Sequence, residues 1–219
     1  TMNTHLHMLE ALISFYKATG NALAKERLHE LILILSNSVL RKNVGACTEM
    51  HQQTWMPLRE SKHNRVSYGH NLENIWLLIK ACDTLKIPNS LLTDFYKTVF
   101  EYCIKYGFDK KKGGFYESGP VGKPADRLDK IWWVQAEALV CEAYMYYLTR
   151  EPSYLKYFEK TLEWIEKYQV DWKNGDWYSS ISPDGRAFGN KAGIWKAAYH
   201  NGRAMIETLF LFMELKKSV

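Results

Sequence analysis

Several common features are missing from this sequence. No run approaches the roughly 18 uncharged apolar residues of a membrane span, and Thr1-Met2-Asn3 opens no basic-then-apolar leader pattern. Cysteine is scarce: Cys47, Cys82, Cys103 and Cys141 stand far apart, none at metal-ligand or redox spacing. That argues against a disulfide framework and for reduced core thiols in a cytoplasmic protein. Charge of one sign is not gathered anywhere. Twenty-nine Lys and Arg face 24 Asp and Glu, a net +5, and basic groups such as Lys110, Lys111 and Lys112 are scattered among acids, so no nucleic-acid footprint is expected. A phosphate-cradling glycine motif is also absent, because Gly113-Gly114 lacks the strand before and the helix after that such a loop needs. Apolar material is plentiful: 47% of 219 residues are hydrophobic, enough for one sizeable core and too much for disorder.

Apolar residues recur at helical spacing in seven stretches, near 4–19, 22–40, 69–86, 89–106, 128–148, 153–168 and 197–215. The chain therefore reads as all-α and as one domain over residues 1–219. Asn3 and Thr4 are placed to cap the first helix, Gly20 to end it, and Pro88 and Pro152 to open the fourth and sixth. Tight turns alternate with long connections, near 43–68, 107–127 and 170–196, that are rich in aromatics, Gly and Pro. Lys112 to Tyr116 and the stretch from Asp176 through Gly185 read as small β-hairpins, and loops of this length in a compact domain usually carry function. Corresponding positions repeat: His7 to His70 is 63 residues, His70 to Glu137 is 67, and Glu137 to His200 is 63. A period near 65 fits one helical hairpin plus its loop, and the chain holds three such repeats and one further helix. A repeat cannot bury its faces without neighbours, so the expectation is a piece of something larger.

Polar and aromatic groups collect at the start of alternate helices: Asn3-Thr4-His5-Leu6-His7, Tyr68-Gly69-His70 with Glu73, Trp132-Trp133-Val134-Gln135-Ala136-Glu137, and Trp195-Lys196 with Tyr199-His200-Asn201. If these helices line a ring, the starts converge on a pocket where helix N-termini favour negative charge. His70 and Glu73 are neighbours on one helix face, so the carboxylate can orient the imidazole. A lone helical histidine is ordinarily a packed or surface residue. His70 and His200 share a repeat phase beside Trp and Glu, which makes them the sharpest functional signal. His7 has that phase too and is expected in the pocket, with His5 structural. His5 and His7, two apart on a helix, point to different sides and do not chelate one ion, so no metal is assigned. Trp132 and Trp133 point in opposite directions, one to pack and one to reach the pocket, and Trp76 and Trp195 beside the histidines suit a sugar ring.

These segments resemble the cellobiose 2-epimerase branch of the N-acylglucosamine 2-epimerase superfamily. The matching runs, ending in Tyr199-His200-Asn201-Gly202-Arg203-Ala204, span nearly the whole chain in family order. The resemblance implies part of an (α/α)6 barrel, a toroid of helical hairpins with hairpin-like loops on one face, of which this chain would be the C-terminal half. Family members also draw an active-site arginine from the N-terminal half, to which no residue here corresponds. Asn71 stands where the family has an acidic residue, and Gly175-Asp176-Trp177-Tyr178 varies a Gly-Glu-Trp-Phe run.

The implied reaction epimerises C2 of the reducing-end glucose or mannose unit of a β-1,4-linked disaccharide through a planar enediolate. His70 and His200 would be the two bases, with His7 stabilising the anion. Trp133 and Trp195 would hold the sugar rings, with Trp132 and Trp76 beside them. Glu73 and Glu137 would bond hydroxyls or the histidines, and Asn3 the reducing end. No cofactor or metal is implied, and the partner is a small carbohydrate. Two other readings stand beside it. One is a glycoside hydrolase using Glu73 and Glu137. The other is a non-catalytic half that binds sugar or seeks a second copy or an N-terminal half through its open apolar faces.

Overall fold

The apolar periodicity becomes seven α-helices among the described residues: α1 Met2–Thr19, α2 Ala22–Leu33, α3 Tyr68–Leu85, α4 Thr93–Tyr106, α5 Trp132–Thr149, α6 Pro152–Trp164 and α7 Tyr199–Lys217. The structure is a computed structural model that describes residues 1–58, 60 and 62–217. α2 and α6 stop short of their expected ends because each finishes in a wider π turn, Ile34–Ser38 and Ile165–Gln169, the signature of one extra residue absorbed into a helix. The cap of α1 also differs from expectation. The Thr1 hydroxyl accepts the Thr4 N–H at 3.2 Å, which leaves Asn3 and Thr4 inside the helix. Gly20, Lys86 and Arg150 close the three tight turns in the left-handed conformation. All four cysteines are free and buried, and no helix is long and apolar enough to cross a membrane among the described residues.

The chain forms two compact units, Thr1–Tyr106 with Gly119–Pro124, and Gly107–Ser118 with Ala125–Val219. In the first, α3 is the central element: 13 of its 18 residues are buried, as a helix surrounded by others requires. It packs against α1, α2 and α4. In the second, α5 has the same role, again with 13 of 18 buried, and packs against α6 and α7. Leu72, Ile75 and Leu78 on α3, and Val134, Leu139 and Val140 on α5, are fully buried, each worth about 1.5–3 kcal/mol. α1 and α7 are covered on one side only. Met8 and Phe15, and on α7 Met205, Ile206, Leu209, Phe210 and Met213, remain exposed.

Paired carboxylates and lysines organise the long loops of the second unit. Asp109 accepts the N–H groups of Lys111 and Lys112, and Lys130 Nζ bridges Asp109 (2.9 Å) to the Gly113 carbonyl (2.5 Å). Asp171 repeats the arrangement: it takes the N–H groups of Lys173 and Asn174, and Lys191 Nζ bridges it (2.7 Å) to the Gly175 carbonyl (2.6 Å). Gly113 is required there, since its φ is +83° and a Cβ would lie 2.4 Å from the Lys160 carbonyl oxygen. The expected hairpins follow these turns, with Phe108 bridged to Phe115, Val170 to Trp177, and Ser180–Ile181 paired with Ala187–Phe188.

Glu142, also in the second unit, is fully buried, and the Thr161 hydroxyl donates to its Oε1 at 3.0 Å. Burial pushes its carboxyl well above the ordinary carboxylate range, against the opposing hydrogen bond. Because the folded pKa is raised, stability is greatest below the unfolded value of about 4.3 and falls by up to about 1.4 kcal/mol per pH unit above it. Glu142→Gln is expected to remove that slope. Denaturant unfolding at several pH values checks this, and parallel profiles for parent and variant would contradict it.

Candidate active site

In the first unit, Arg65–Ser67 runs extended into α3, and Ser67 caps the helix by accepting the His70 N–H at 3.4 Å. The His70 ring is therefore set in the first turn. Beside it, Asn71 is buried and clasps the backbone of Cys47, with Oδ1 accepting the Cys47 N–H at 2.8 Å and Nδ2 donating to the Cys47 carbonyl at 3.0 Å. That two-way bond needs a donor and an acceptor on one side chain, which an amide supplies and a carboxylate does not. Two residues after Cys47, Glu49 Oε1 accepts from His70 Nδ1 at 2.6 Å. Burial, the largest influence on His70, pulls its pKa down, but the hydrogen bond and charge of Glu49, with the charge of Glu73, outweigh it and the ring stands above its ordinary value.

Glu73 is fully buried one turn along α3. It acts on His70 through its charge, while the hydrogen bond that orients the ring comes from Glu49, which no motif or spacing singled out. His7 lies half-exposed on α1, its Nδ1 3.5 Å from Glu10 Oε2. The ligand atoms of His7, Glu10 and Glu73 lie within 4.8 Å of one another, a donor set able to take a divalent cation or to share protons. His5 turns away as its spacing demands, hydrogen-bonded to the Thr1 carbonyl and edge-on to Trp55. Asn3 offers its backbone N–H to Glu49 Oε2 at 3.4 Å. Trp76 is 1% exposed, embedded in this unit with Lys80 Nζ 5.7 Å from its ring centre.

In the second unit, His200 is the second residue of α7 and its Nδ1 bonds Glu137 Oε1 at 2.6 Å. Glu137 is fully buried and also accepts from Arg203 Nη2 at 2.7 Å. Burial alone would push the Glu137 carboxyl up, but the His200 hydrogen bond and the Arg203 charge prevail and hold it below the usual range. Arg203 is fixed in turn by the Tyr199 hydroxyl at 2.6 Å. Three rings surround the imidazole, with centroids at 4.6 Å (Tyr199), 5.8 Å (Trp133) and 6.4 Å (Trp132). Trp132 is buried and Trp133 half-exposed, the split expected of adjacent helical positions.

Trp195 does not join them. It is 88% exposed, because it sits between two anchored lysines: Lys191 is held at Asp171, while Lys196 Nζ bonds Asp176 Oδ2 (2.8 Å) and the Lys191 carbonyl (2.6 Å). Asp176 also accepts from Asn201 Nδ2 at 2.8 Å, tying this loop to the first turn of α7.

A side-chain amide thus joins each loop to the helix it precedes. Asn71 holds Cys47, Gln135 makes a two-way bond with Phe115 (2.8 and 2.7 Å), and Asn201 holds Asp176. These amides are 64 and 66 residues apart, at the period of the repeat.

The sequence model of the N-acylglucosamine 2-epimerase family matches residues 1–204. The cellobiose 2-epimerase of Bacteroides fragilis is 32% identical over 213 residues, 95% of this chain and 53% of that protein. A D-mannose isomerase of Marinomonas mediterranea is 26% identical over 94% of this chain and 55% of its own length. Among solved structures, the cellobiose 2-epimerase of Bacillus thermoamylovorans superposes with a TM-score of 0.87 at 29% identity, covering 97% of this chain and 53% of that one. The chain spans about half the length of the curated relatives it matches. Cellobiose 2-epimerases are (α/α)6 barrels, so the all-α, half-barrel expectation is borne out.

Proposed function

Because the chain belongs to the N-acylglucosamine 2-epimerase family, we propose that it supplies both bases of a sugar 2-epimerase acting on the reducing-end glucose or mannose unit of a β-1,4-linked disaccharide. The observation that carries this reading is the matched dressing of two imidazoles. His70 and His200 each present Nδ1 to a carboxylate at 2.6 Å. In the neutral ring Nδ1 then holds the proton, and Nε2 is the basic nitrogen.

Once the sugar ring opens, one Nε2 takes the C2 proton. The C–H electron pair becomes the C1=C2 double bond, and the aldehyde oxygen becomes an enolate. The conjugate acid of the other imidazole returns a proton to the opposite face of C2, and the aldehyde re-forms. His7 and the N-terminal N–H groups of α3 and α7 would favour the anion. Trp133 would pack a sugar ring, with Trp132 beside it. Asn3, Glu73 and Glu137 would meet hydroxyls or hold the histidines. The exposed apolar faces of α1 and α7 would seat the remainder of the toroid, from an N-terminal half or from another chain.

A second reading has specific support, since one relative is a D-mannose isomerase. The same enediolate protonated at C1 instead of C2 yields a ketose. Incubation with cellobiose, and separately with mannose, separates the outcomes by product. A mannose-ended disaccharide supports the epimerase and fructose from mannose supports the isomerase. Free glucose from cellobiose would replace both with a hydrolase built on Glu73 and Glu137, and binding without turnover would leave a sugar-binding half.

A further inference from the structure

Glu49 makes three bonds at once. Its Oε1 accepts from His70 Nδ1 at 2.6 Å, its Oε2 accepts the Asn3 N–H at 3.4 Å, and its main-chain carbonyl accepts the Met2 N–H at 2.9 Å. It lies in a long loop, yet its place is fixed on both sides. Leu40 pairs with Cys47, the Thr48 N–H donates to the Val39 carbonyl at 3.2 Å, and the Asn71 amide clasps Cys47 from the residue next to His70.

We propose that Glu49 is the positioning residue for His70, holding its ring in the Nδ1–H tautomer and locking that ring to the first turn of α1, which carries Asn3 and His7. This rests on the epimerase reading and deepens it, because it identifies what prepares one of the two bases. Glu137 serves His200 in the same way with one difference: its carboxylate also meets Arg203 Nη2 at 2.7 Å, whereas the Glu49 carboxylate also accepts the backbone N–H of Asn3 at 3.4 Å. The hydrogen bond and charge of Glu49, with the charge of Glu73, favour the proton-carrying form of His70. The charged groups acting on His70 are Glu49, Glu73 and His7. Of these, Glu49 hydrogen-bonds the ring at 2.6 Å, and its removal is expected to move the ring's titration downward.

The test is Glu49→Gln in this chain, followed by NMR of the histidine ring nitrogens from about pH 5 to 9. The His70 midpoint should fall by about one pH unit and its Nδ1–H signature should weaken, with the His200 signals unmoved. Glu49→Asp, which keeps the charge on a shorter arm, should recover part of the shift. Should Glu49→Gln lose helical signal, Glu49→Asp carries the comparison alone, with a smaller fall. An unmoved His70 overturns the proposal, as does an equal shift of His200. In protein active on a sugar, kcat should drop roughly 100-fold with KM nearly constant, and a change in KM alone overturns the positioning role. If the parent acts on no sugar, the epimerase reading fails and the His70 spectrum still decides whether Glu49 sets the ring.

Discussion

His70→Ala and His200→Ala are each expected to lower epimerisation by a factor on the order of 10²–10⁴, the usual worth of a positioned acid or base, and to leave opposite residual activities. With one imidazole gone, the surviving ring can still remove and replace the C2 hydrogen on its own face. Each variant should exchange that hydrogen with deuterated solvent from one epimer and not the other, with no inversion. The two variants should differ in which sugar they label, and that difference assigns each base to the gluco or manno direction. Mass spectrometry of both epimers after incubation in deuterated buffer reads the result. Near-parental epimerisation by either variant would remove that histidine from the mechanism.

The largest stability effect is expected at Arg203. Its guanidinium meets Glu137 at 2.7 Å, and Glu137 is fully buried. Removing one member of a buried ion pair costs about 3–5 kcal/mol, because the remaining charge stays without its counter-ion. Arg203→Met should therefore destabilise the chain by up to about that amount in denaturant unfolding, with His200 Nδ1 still bonded to Glu137. The Glu137 carboxyl is held below the ordinary range in the folded state. The pair thus contributes stability above the unfolded carboxylate value of about 4.3 and loses it as pH falls through the folded value. The Arg203→Met penalty should be large at neutral pH and shrink in acid. Adding Glu137→Gln removes the buried charge that Arg203 no longer balances and should recover part of the loss. A double variant as unstable as the sum of the two single ones would show that the charges do not interact.

Much of this arrangement could be read from residue order. The helices follow apolar spacing, and the repeat phase that picked out His7, His70, Glu137 and His200 is the phase at which α1, α3, α5 and α7 begin. That α3 and α5 are central is written in their lack of a polar side. Glu49 was not readable, because it lies 21 residues before His70 in a loop of no regular period. Only the Cys47 clasp brings it to the ring, and Asn71, noticed as a departure from the family pattern, is that clasp. Arg203 was visible as part of a motif but without a role, which required knowing that Glu137 is sealed from water. Trp195 shows the reverse limit: an aromatic next to a candidate histidine in sequence was placed with it, while the anchored lysines on either side hold it outward. The α1 cap moved by two residues for a local reason, since Thr1 already satisfies the helix N-terminus.

The bridge from Asp171 to Lys191 has an evolutionary corollary. It pins both ends of the 176–190 stretch, with Asp176 fastened in turn to the helix that bears His200. Lengthening a flexible segment whose ends are already fixed is thermodynamically cheap, about 0.6 kcal/mol for each doubling. Insertions and deletions between these anchors can thus remodel the loop beside His200 while the histidine and its carboxylate keep their spacing. Under the epimerase proposal, variation in substrate and constancy of the bases would then fall to separate stretches of the same chain.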